Sequence, residues 1–109
     1  LAFAFESFID ELAHAAGRDP LQFRLDLYGP PRVFPAPPGH IPGLKIPPFD
    51  TGRVRGVLQL VAEKSNWGRQ QLPKGTGMGL AFCYSHLGYV AEVVKAGISA
   101  NGEPKIYKV

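Results

Sequence analysis

The stretch from Gly29 to Phe49 constrains this chain most strongly, because eight of its 21 residues are proline. Proline has no backbone N–H to donate, and its ring excludes both the interior of a helix and the middle of a sheet. We therefore predict an extended connector over residues 29–49, pinned at intervals by apolar side chains. The expected pinning residues are Val33, Phe34, Ile41, Leu44, Ile46 and Phe49.

A short motif within this connector matches a class of peptide ligand. Arg32, Pro35 and Pro38 have the basic-x-x-Pro-x-x-Pro spacing of segments that bind aromatic-lined grooves. Proline-dense linkers produce this spacing by chance, so we favour a connector over a recognition motif.

The residues before the connector have the pattern of a helical hairpin over 1–28. In the second helix, Asp19 is a favourable N-cap, Pro20 suits the first position, and Gln22 can return a capping-box bond. Gly17 provides a left-handed stop between the two helices. The apolar residues of the first helix recur at helical spacing, at Phe5, Phe8, Ile9, Leu12 and Ala16. Those of the second helix are Leu21, Leu25 and Tyr28.

Residues 50–68 predict a third helix that follows the connector. Asp50 or Thr51 caps it, and Asn66 lies at its end. Trp67 is expected to fold back onto the apolar face of this helix. That face consists of Val54, Val57, Leu58 and Val61.

Residues 75–109 change to the alternating pattern of strands. The segments LAFCYS, YVAEVVKAGIS and PKIYKV read as three strands, and ANGE before the last carries an Asn-Gly turn signal. Because helices and strands segregate along the chain, the fold class is α+β. We expect an N-terminal helical hairpin, the connector, one further helix and a small antiparallel sheet. All of residues 1–109 are expected to be a single fragment of a larger domain.

The run PKGTGMGLAF has a glycine at every second position: Gly75, Gly77 and Gly79. A phosphate-binding loop needs its glycines after a strand and before a helix. Here a helix comes first and a strand follows, and Lys74 precedes the glycines rather than following them. We therefore favour a flexible entry into a strand, with close approach of backbones, over a phosphate cradle.

Cys83 and His86 have the Cys-x-x-His spacing that zinc sites use, but two ligands do not make a site. The other histidines, His14 and His40, are expected on a helix and in the connector. We therefore predict no metal site. The serines lack a nucleophile-elbow motif and an activating acid–histidine pair; they are Ser7, Ser65, Ser85 and Ser99.

Charged residues offer no catalytic constellation of their own. Glu6 is the carboxylate best placed for the interior, since phenylalanines flank it, but we favour a helix-surface acid. Asp10 and Glu11 are expected to be solvated. Arg53 and Arg55 lie near a helix start, where ordinary surface or interdomain contacts are favoured over anion binding. No catalytic residue is predicted, and no cofactor-binding residue is assigned.

The net charge of +3 comes from positive side chains, Arg24 among them, that are scattered along the chain. Nucleic-acid binding requires a stripe of such charges, so we exclude it. The single cysteine excludes an internal disulfide. No apolar run reaches the roughly 20 residues of a membrane span.

The segment AFAFESFIDELAHAAGRDPLQFRL carries a resemblance to a known family. Residues 2–13 and 19–24 match the pattern Ala-Phe-Ala-x-Glu-Ser-Phe-Ile-Asp-Glu-Leu-Ala followed by Asp-Pro-Leu-x-Phe-Arg. RVRGVLQLVAEKSNWG, the Leu-Pro-Lys-Gly-x-Gly-x-Gly run and YVAEVVKAGIS with its hairpin match further on. The chain resembles the molybdopterin-binding large subunits of molybdenum hydroxylases, in particular the isoquinoline 1-oxidoreductase beta-subunit and related aldehyde dehydrogenase group.

This resemblance implies a parent enzyme that hydroxylates an N-heterocycle or aldehyde at a molybdenum-pterin centre, with oxygen from water. It implies two partners, the remainder of the large subunit and an iron-sulfur subunit, and a bacterial cytoplasmic or periplasmic location. The family's base glutamate belongs to a motif that no residue here matches, so the role is not transferred to Glu6. We expect an internal structural piece that is inactive alone and contains no cofactor.

The alternative hypothesis is a stand-alone protein-interaction module that self-associates or binds through its proline-rich segment. Faces that a parent protein would cover are expected to be exposed, including parts of Phe3, Phe5 and Phe8 and the last strand. An unpaired strand edge and exposed apolar side chains favour a homo-oligomer of the isolated chain.

Overall fold

A computed structural model of the chain describes residues 1–36, 43 and 46–109. Its elements in chain order are α1 (Ala2–Ala15), α2 (Pro20–Tyr28), β1 (Val33–Phe34), β2 (Phe49–Asp50), α3 (Thr51–Ser65), β3 (Thr76–Ser85), β4 (Gly88–Ile98) and β5 (Pro104–Lys108). The predicted α+β class is confirmed. Of the helices in these ranges, none is long and apolar enough to cross a membrane.

Helices α1 and α2 form the predicted helical hairpin. Gly17 turns the chain with a φ of 63°, and Asp19 caps α2 by accepting a hydrogen bond from the Gln22 backbone N–H at 2.9 Å. The predicted capping-box return is wrong, because the Gln22 side-chain amide donates to Asp26 Oδ1 at 2.8 Å instead. This bond directs the Gln22 side chain along α2 towards Asp26 and away from the N-cap backbone N–H.

The apolar side chains that recur along α1 are divided between an inner and an outer side of the helix. Ile9 is buried, but Phe5, Phe8 and Leu12 are 62%, 57% and 41% exposed, and Ala16 is also exposed. The inward face of the helix is formed by Glu6, Ile9 and Ala13. Because Glu6 faces a buried cation, α1 turns this acid inward and leaves the phenylalanines on its outer side.

The connector contains a two-residue ribbon that the sequence did not predict. Val33 and Phe34 of β1 pair with residues of β2. None of the paired residues is proline, so each has a backbone N–H that can donate a hydrogen bond. The pinning predicted for them is wrong, since they are 65% and 44% exposed. Phe49 packs against the core as expected, and Ile46 is half-buried. Outside the described residues lie Pro38, His40, Ile41 and Leu44.

Helix α3 begins where the sequence predicts and ends at Ser65, before the predicted limit at residue 68. Asp50 is its N-cap and accepts a first-turn backbone hydrogen bond at 2.7 Å. Asn66 ends the helix in the left-handed conformation, with a φ of 54°. Val54 and Leu58 are completely buried, and Trp67 packs against the same core as predicted. This face of α3 lies on β4.

Strands β3, β4 and β5 form an antiparallel sheet in that order. His86 and Leu87 make a two-residue turn between β3 and β4, both with positive φ, 49° and 64°. The predicted Asn-Gly turn between β4 and β5 is confirmed. There the Gly102 backbone N–H donates to the Ser99 carbonyl at 2.9 Å.

The three-stranded sheet has an inner face and an outer face. Leu80, Phe82 and Val93 are buried on the inner face, within the core that includes α2 and α3. The alternate positions form the outer face. On β3 these are Gly77, Gly79, Ala81 and Cys83, which pair with Ala96, Val94, Glu92 and Val90 of β4.

Candidate functional site

Arg24 of α2 is completely buried, with 0% exposure. Its Nε donates to Glu6 Oε2 at 2.9 Å, and Nη2 donates to the Glu6 backbone carbonyl at 3.2 Å. Its Nη1 donates to Asp10 Oδ1 at 2.6 Å and to the Pro20 carbonyl at 3.2 Å. Burying a guanidinium is costly unless it is paired and hydrogen-bonded, and these partners meet that requirement. Arg24, one of the positive side chains scattered along the sequence, is therefore an interior residue.

Glu6 connects this cation to the sheet. Its Oε2 also accepts a hydrogen bond from the Phe82 backbone N–H at 2.9 Å. Because β3 is an edge strand, its outward N–H groups have no ladder partner, and a carboxylate can satisfy one. The favoured interpretation of Glu6 as a surface acid is therefore wrong, since its exposure is 8%. Asp10, expected to be solvated, is instead ion-paired and partly exposed, whereas Glu11 is exposed as predicted.

The sequence contained a signal for this network that we did not use. Glu6 and Asp10 are four residues apart and so lie on one side of α1. Arg24 falls at helical spacing between Leu21 and Tyr28, two residues predicted to be buried. Opposite charges at inward positions of two adjacent helices indicate a buried ion pair.

A groove runs along the outer face of the sheet beside this network. Its deeper part, about 380 Å³, lies between α1 and strands β3 and β4 and includes Glu6, Asp10 and Glu92. A shallower part of about 590 Å³ extends over the glycine-rich start of β3. The two parts adjoin, since Gly79 and Val94 line both, and together we call them the outer groove.

An aromatic hollow of about 460 Å³ lies on the other side of Glu6, and Phe5, Tyr28 and Tyr84 line it. The Tyr28 ring meets the Phe82 ring edge-on, with centroids 5.8 Å apart. Burial raises the pKa of the Tyr28 phenol, and the negative charge of Glu6 adds to this shift. The hollow therefore favours neutral, aromatic contacts.

The glycine run is mostly within β3 rather than before it. Gly75 precedes the strand, with a φ of 80°, and Gly77 and Gly79 are paired inside the ladder. The predicted close approach of backbones occurs at Gly75, whose carbonyl accepts the Ile98 N–H at 2.9 Å. A Cβ added at Gly97 would lie only 2.6 Å from the same carbonyl oxygen. The run lies mostly within a strand, and no helix begins in the described residues that follow it, so it is not arranged as a helix-capped phosphate loop.

Cys83 and His86 lie on one hairpin but serve different local roles. Cys83 is half-buried on the outer face, whereas His86 is in the turn with Nδ1 2.8 Å from Ser85 Oγ. His14 lies on α1. In the ranges that the structure describes, no three or more His, Cys, Asp or Glu side chains are grouped to hold a metal ion.

The serines are dispersed over the structure. Ser7 borders the outer groove, Ser65 Oγ donates to the Ala62 carbonyl at 3.2 Å, and Ser99 Oγ accepts the Glu103 N–H at 3.1 Å. These hydrogen bonds are local contacts of helix ends and turns.

Arg53 and Arg55 contact other elements of the chain rather than forming only the surface or interdomain contacts that we favoured. The Arg53 guanidinium carbon lies 4.4 Å from the centroid of the Tyr89 ring, a cation–π arrangement. Arg55 Nη1 donates to the carbonyls of Leu25 at 2.6 Å and Gly29 at 3.0 Å. It therefore satisfies acceptors at the end of α2.

No protein-family model matches the sequence. The chain is 40% identical over 81 residues to the membrane-bound aldehyde dehydrogenase (pyrroloquinoline-quinone) of Gluconacetobacter polyoxogenes. The match covers 73% of this chain and 10% of that relative. The chain thus spans about a tenth of the length of the curated relative it matches, and is similar to one segment of an oxidoreductase.

The charges of the described cavities can be compared with those of two anionic cofactors. These are the quinone named for the relative and the molybdenum-pterin implied by the resemblance. The first carries carboxylates and the second a phosphate. The outer groove does not favour such groups, because Arg24 already pairs with Glu6 and Asp10 and the remaining charge in its lining is the acidic Glu92. A cleft of about 440 Å³ beside the end of α3 carries Lys64, Lys95 and Lys108, with the acidic Glu92 in the same lining. Two of these lysines are exposed and present no fixed donor geometry, so neither cofactor fits the described residues.

Proposed function

We propose that this chain is a structural segment of a larger oxidoreductase that oxidises an aldehyde or an N-heterocycle. The observation that carries the proposal is the 40% identity over 81 residues to the aldehyde dehydrogenase of G. polyoxogenes. Because the match spans 10% of that relative, the proposal assigns the reactive groups to other parts of the enzyme. The 109-residue chain is then inactive alone.

Within such an enzyme, the residues of this chain build a supporting wall. Arg24 and Glu6 fasten α1 and α2 to the edge of β3, and α3 supports the inner face of the sheet. A fully hydrogen-bonded buried network specifies one arrangement of the elements it joins. The outer face of the sheet is thereby held in a fixed position, which orients neighbouring parts of the enzyme.

The finer assignment in this proposal is to the molybdenum hydroxylases. It is supported by the motifs at residues 2–13 and 19–24 and by the Lys-Gly-x-Gly-x-Gly run. In that case a molybdenum-pterin supplies the redox chemistry, water supplies the oxygen, and an iron-sulfur subunit accepts the electrons. Elemental analysis for molybdenum and chromatographic analysis for pyrroloquinoline quinone in the complete protein decide between the two cofactors. Quinone without molybdenum contradicts the finer assignment.

Activity is tested by comparing two preparations. The complete protein with its partner subunit is expected to reduce an artificial electron acceptor when supplied with aldehydes or an N-heterocycle. The 109-residue chain, given the same cofactor and substrates, is expected to show no turnover. Turnover by the short chain, or none by the complete protein across both substrate classes, would overturn the proposal.

The second candidate, a stand-alone interaction module, is favoured by exposed apolar side chains. The predicted exposure of Phe3, Phe5, Phe8 and the last strand is confirmed: Phe3 is 86% and Ile106 is 68% exposed. The free edge of β5 adds a surface that can pair with another strand. Sedimentation of the chain over a concentration series tests self-association. A monomer at every concentration contradicts an oligomeric module.

A further inference from the structure

We infer that the outer groove binds an apolar segment that carries a basic side chain. This segment belongs to parts of the enzyme outside these 109 residues. This inference rests on the proposed function and specifies which surface of the chain is covered. It follows from the floor, the charges and the length of the groove.

The floor of the groove is the part of β3 with the smallest side chains. Gly77 and Gly79 lie inside the ladder, and a Cβ added at either would meet no atom within 4 Å. Glycine weakens a strand, and in strand interiors it often marks the close approach of another backbone. Beside this floor stands Val90, which is 47% exposed. The groove thus presents apolar surface with room for a closely packed neighbour.

The charges of the groove define the chemistry of its occupant. Asp10 on α1 and Glu92 on β4 border it from two sides. Arg24 pairs with Asp10 from the buried side, but Glu92 has no ion-pair partner among the described residues. A Lys or Arg of the occupant, set between these carboxylates, complements this surface. A second copy related by two-fold symmetry would set acidic groove against acidic groove.

The groove is long enough to bind a complete strand or helix. From Gly75 to Cys83 an extended strand spans roughly 27 Å, which equals the length of a helix of about 18 residues. The chain spans 10% of its curated relative, so a protein of that size has ample sequence outside this segment to supply such an element.

Cys83, the single cysteine of the chain, lines the groove and reports whether it is covered. The probe is N-ethylmaleimide, with labelling of the Cys83 peptide followed by mass spectrometry. In the native complete protein we expect labelling about tenfold slower, or more, than in the 109-residue chain. The urea-unfolded complete protein provides the rate for an uncovered thiol.

Equal labelling rates of Cys83 in the native and unfolded complete protein overturn the inference. Protection that grows with the concentration of the short chain also overturns it, because the occupant is then a second copy.

A groove-filling variant provides the second test. Gly79→Val adds a side chain into open space, so the short chain should keep its melting temperature while the complete protein loses Cys83 protection. Gly56→Ala, at an exposed α3 position that is also open, is the matched control and should preserve protection. Unchanged protection in Gly79→Val contradicts the inference alone. The proposed function is judged separately, by turnover of the unmodified complete protein.

Discussion

Arg24 and Glu6 form a buried ion pair in which one carboxylate oxygen serves two elements at once. Glu6 Oε2 lies 2.9 Å from Arg24 Nε and 2.9 Å from the Phe82 backbone nitrogen. A charge pair between two helices is thereby coupled to the edge of the sheet. This coupling explains why an acid and a cation occupy positions that a small domain normally fills with apolar side chains.

Removing the cation should destabilise the chain strongly. In Arg24→Ala, Glu6 is left buried without its partner, and the free energy of unfolding should fall by about 3–5 kcal/mol. Urea denaturation followed by circular dichroism measures the loss. The double variant Glu6→Leu/Arg24→Met should recover much of it, since apolar pairs often replace buried ion pairs well.

The control for this series is Arg69→Ala, which removes an exposed cation. Its effect should stay within about 0.5 kcal/mol of the wild type. If Arg24→Ala and Arg69→Ala have equal effects, the buried pair does not hold the helices to the sheet.

Asp19 connects the start of α2 to Trp67, which lies just beyond the end of α3. Replacing Asp19 should therefore change both the stability of the chain and the environment of Trp67. Its Oδ1 caps α2, and its Oδ2 accepts a hydrogen bond from Trp67 Nε1 at 2.8 Å. Asp19→Ala should lower the free energy of unfolding by about 1–2 kcal/mol and shift the fluorescence of the only tryptophan. Asp19→Ser should keep most of the cap but still change the fluorescence. Unaltered emission in both variants contradicts the Trp67 contact.

Local signals were read correctly from the sequence. The stop at Gly17, the cap Asp19 and the Asn-Gly turn each depend on a few neighbouring residues, and the structure places all of them as predicted. Of the two candidates for the cap of α3, Asp50 and Thr51, the structure has Asp50. The order of helices and strands followed from periodicity for the same reason. The two-residue ribbon of the connector was missed because its strands are distant in sequence and too short for a pattern.

The site was predictable only in part, because its partners are far apart in sequence. Glu6 and Phe82 are separated by 76 positions, and periodicity within one helix cannot reveal such a contact. The helical pattern around Phe5 and Phe8 indicated an apolar face correctly. It did not indicate whether this face packs within the chain or stays exposed, since a buried charge pair determines how α1 is rotated.

The contact between Gly97 and Gly75 gives a prediction about side-chain tolerance in the sheet. An added methyl at Gly97 would lie 2.6 Å from the Gly75 carbonyl oxygen, a backbone atom. Gly97→Ala should therefore lower the free energy of unfolding by about 1–3 kcal/mol. Gly77→Ala, in the same sheet with open space around the added carbon, is the matched control and should not destabilise. Equal thermal melts for the two variants would show that the close approach is not maintained.

Replacing His86 and Leu87 should stabilise the turn between β3 and β4. Both residues have positive φ, a conformation that costs most side chains energy and that Asn-Gly adopts readily. The variant His86→Asn/Leu87→Gly should raise the free energy of unfolding by about 1 kcal/mol. At the other turn, Gly102→Ala should have the opposite effect, because Gly102 has a φ of 81°. Destabilisation by the first variant argues against this turn geometry.

Tyr28 makes the stability of the chain depend on pH at the alkaline end. Burial, aided by the charge of Glu6, raises the Tyr28 pKa above its ordinary value of 10.0, so the folded chain holds the phenolic proton more tightly than the unfolded chain. The stabilisation linked to this shift is complete below pH 10.0 and is lost as the pH rises through the folded-state pKa. Urea denaturation of the wild type and Tyr28→Phe at several alkaline pH values measures it. The wild type should lose stability more steeply than the variant above pH 10.0, and equal slopes would contradict a half-buried phenol beside Glu6.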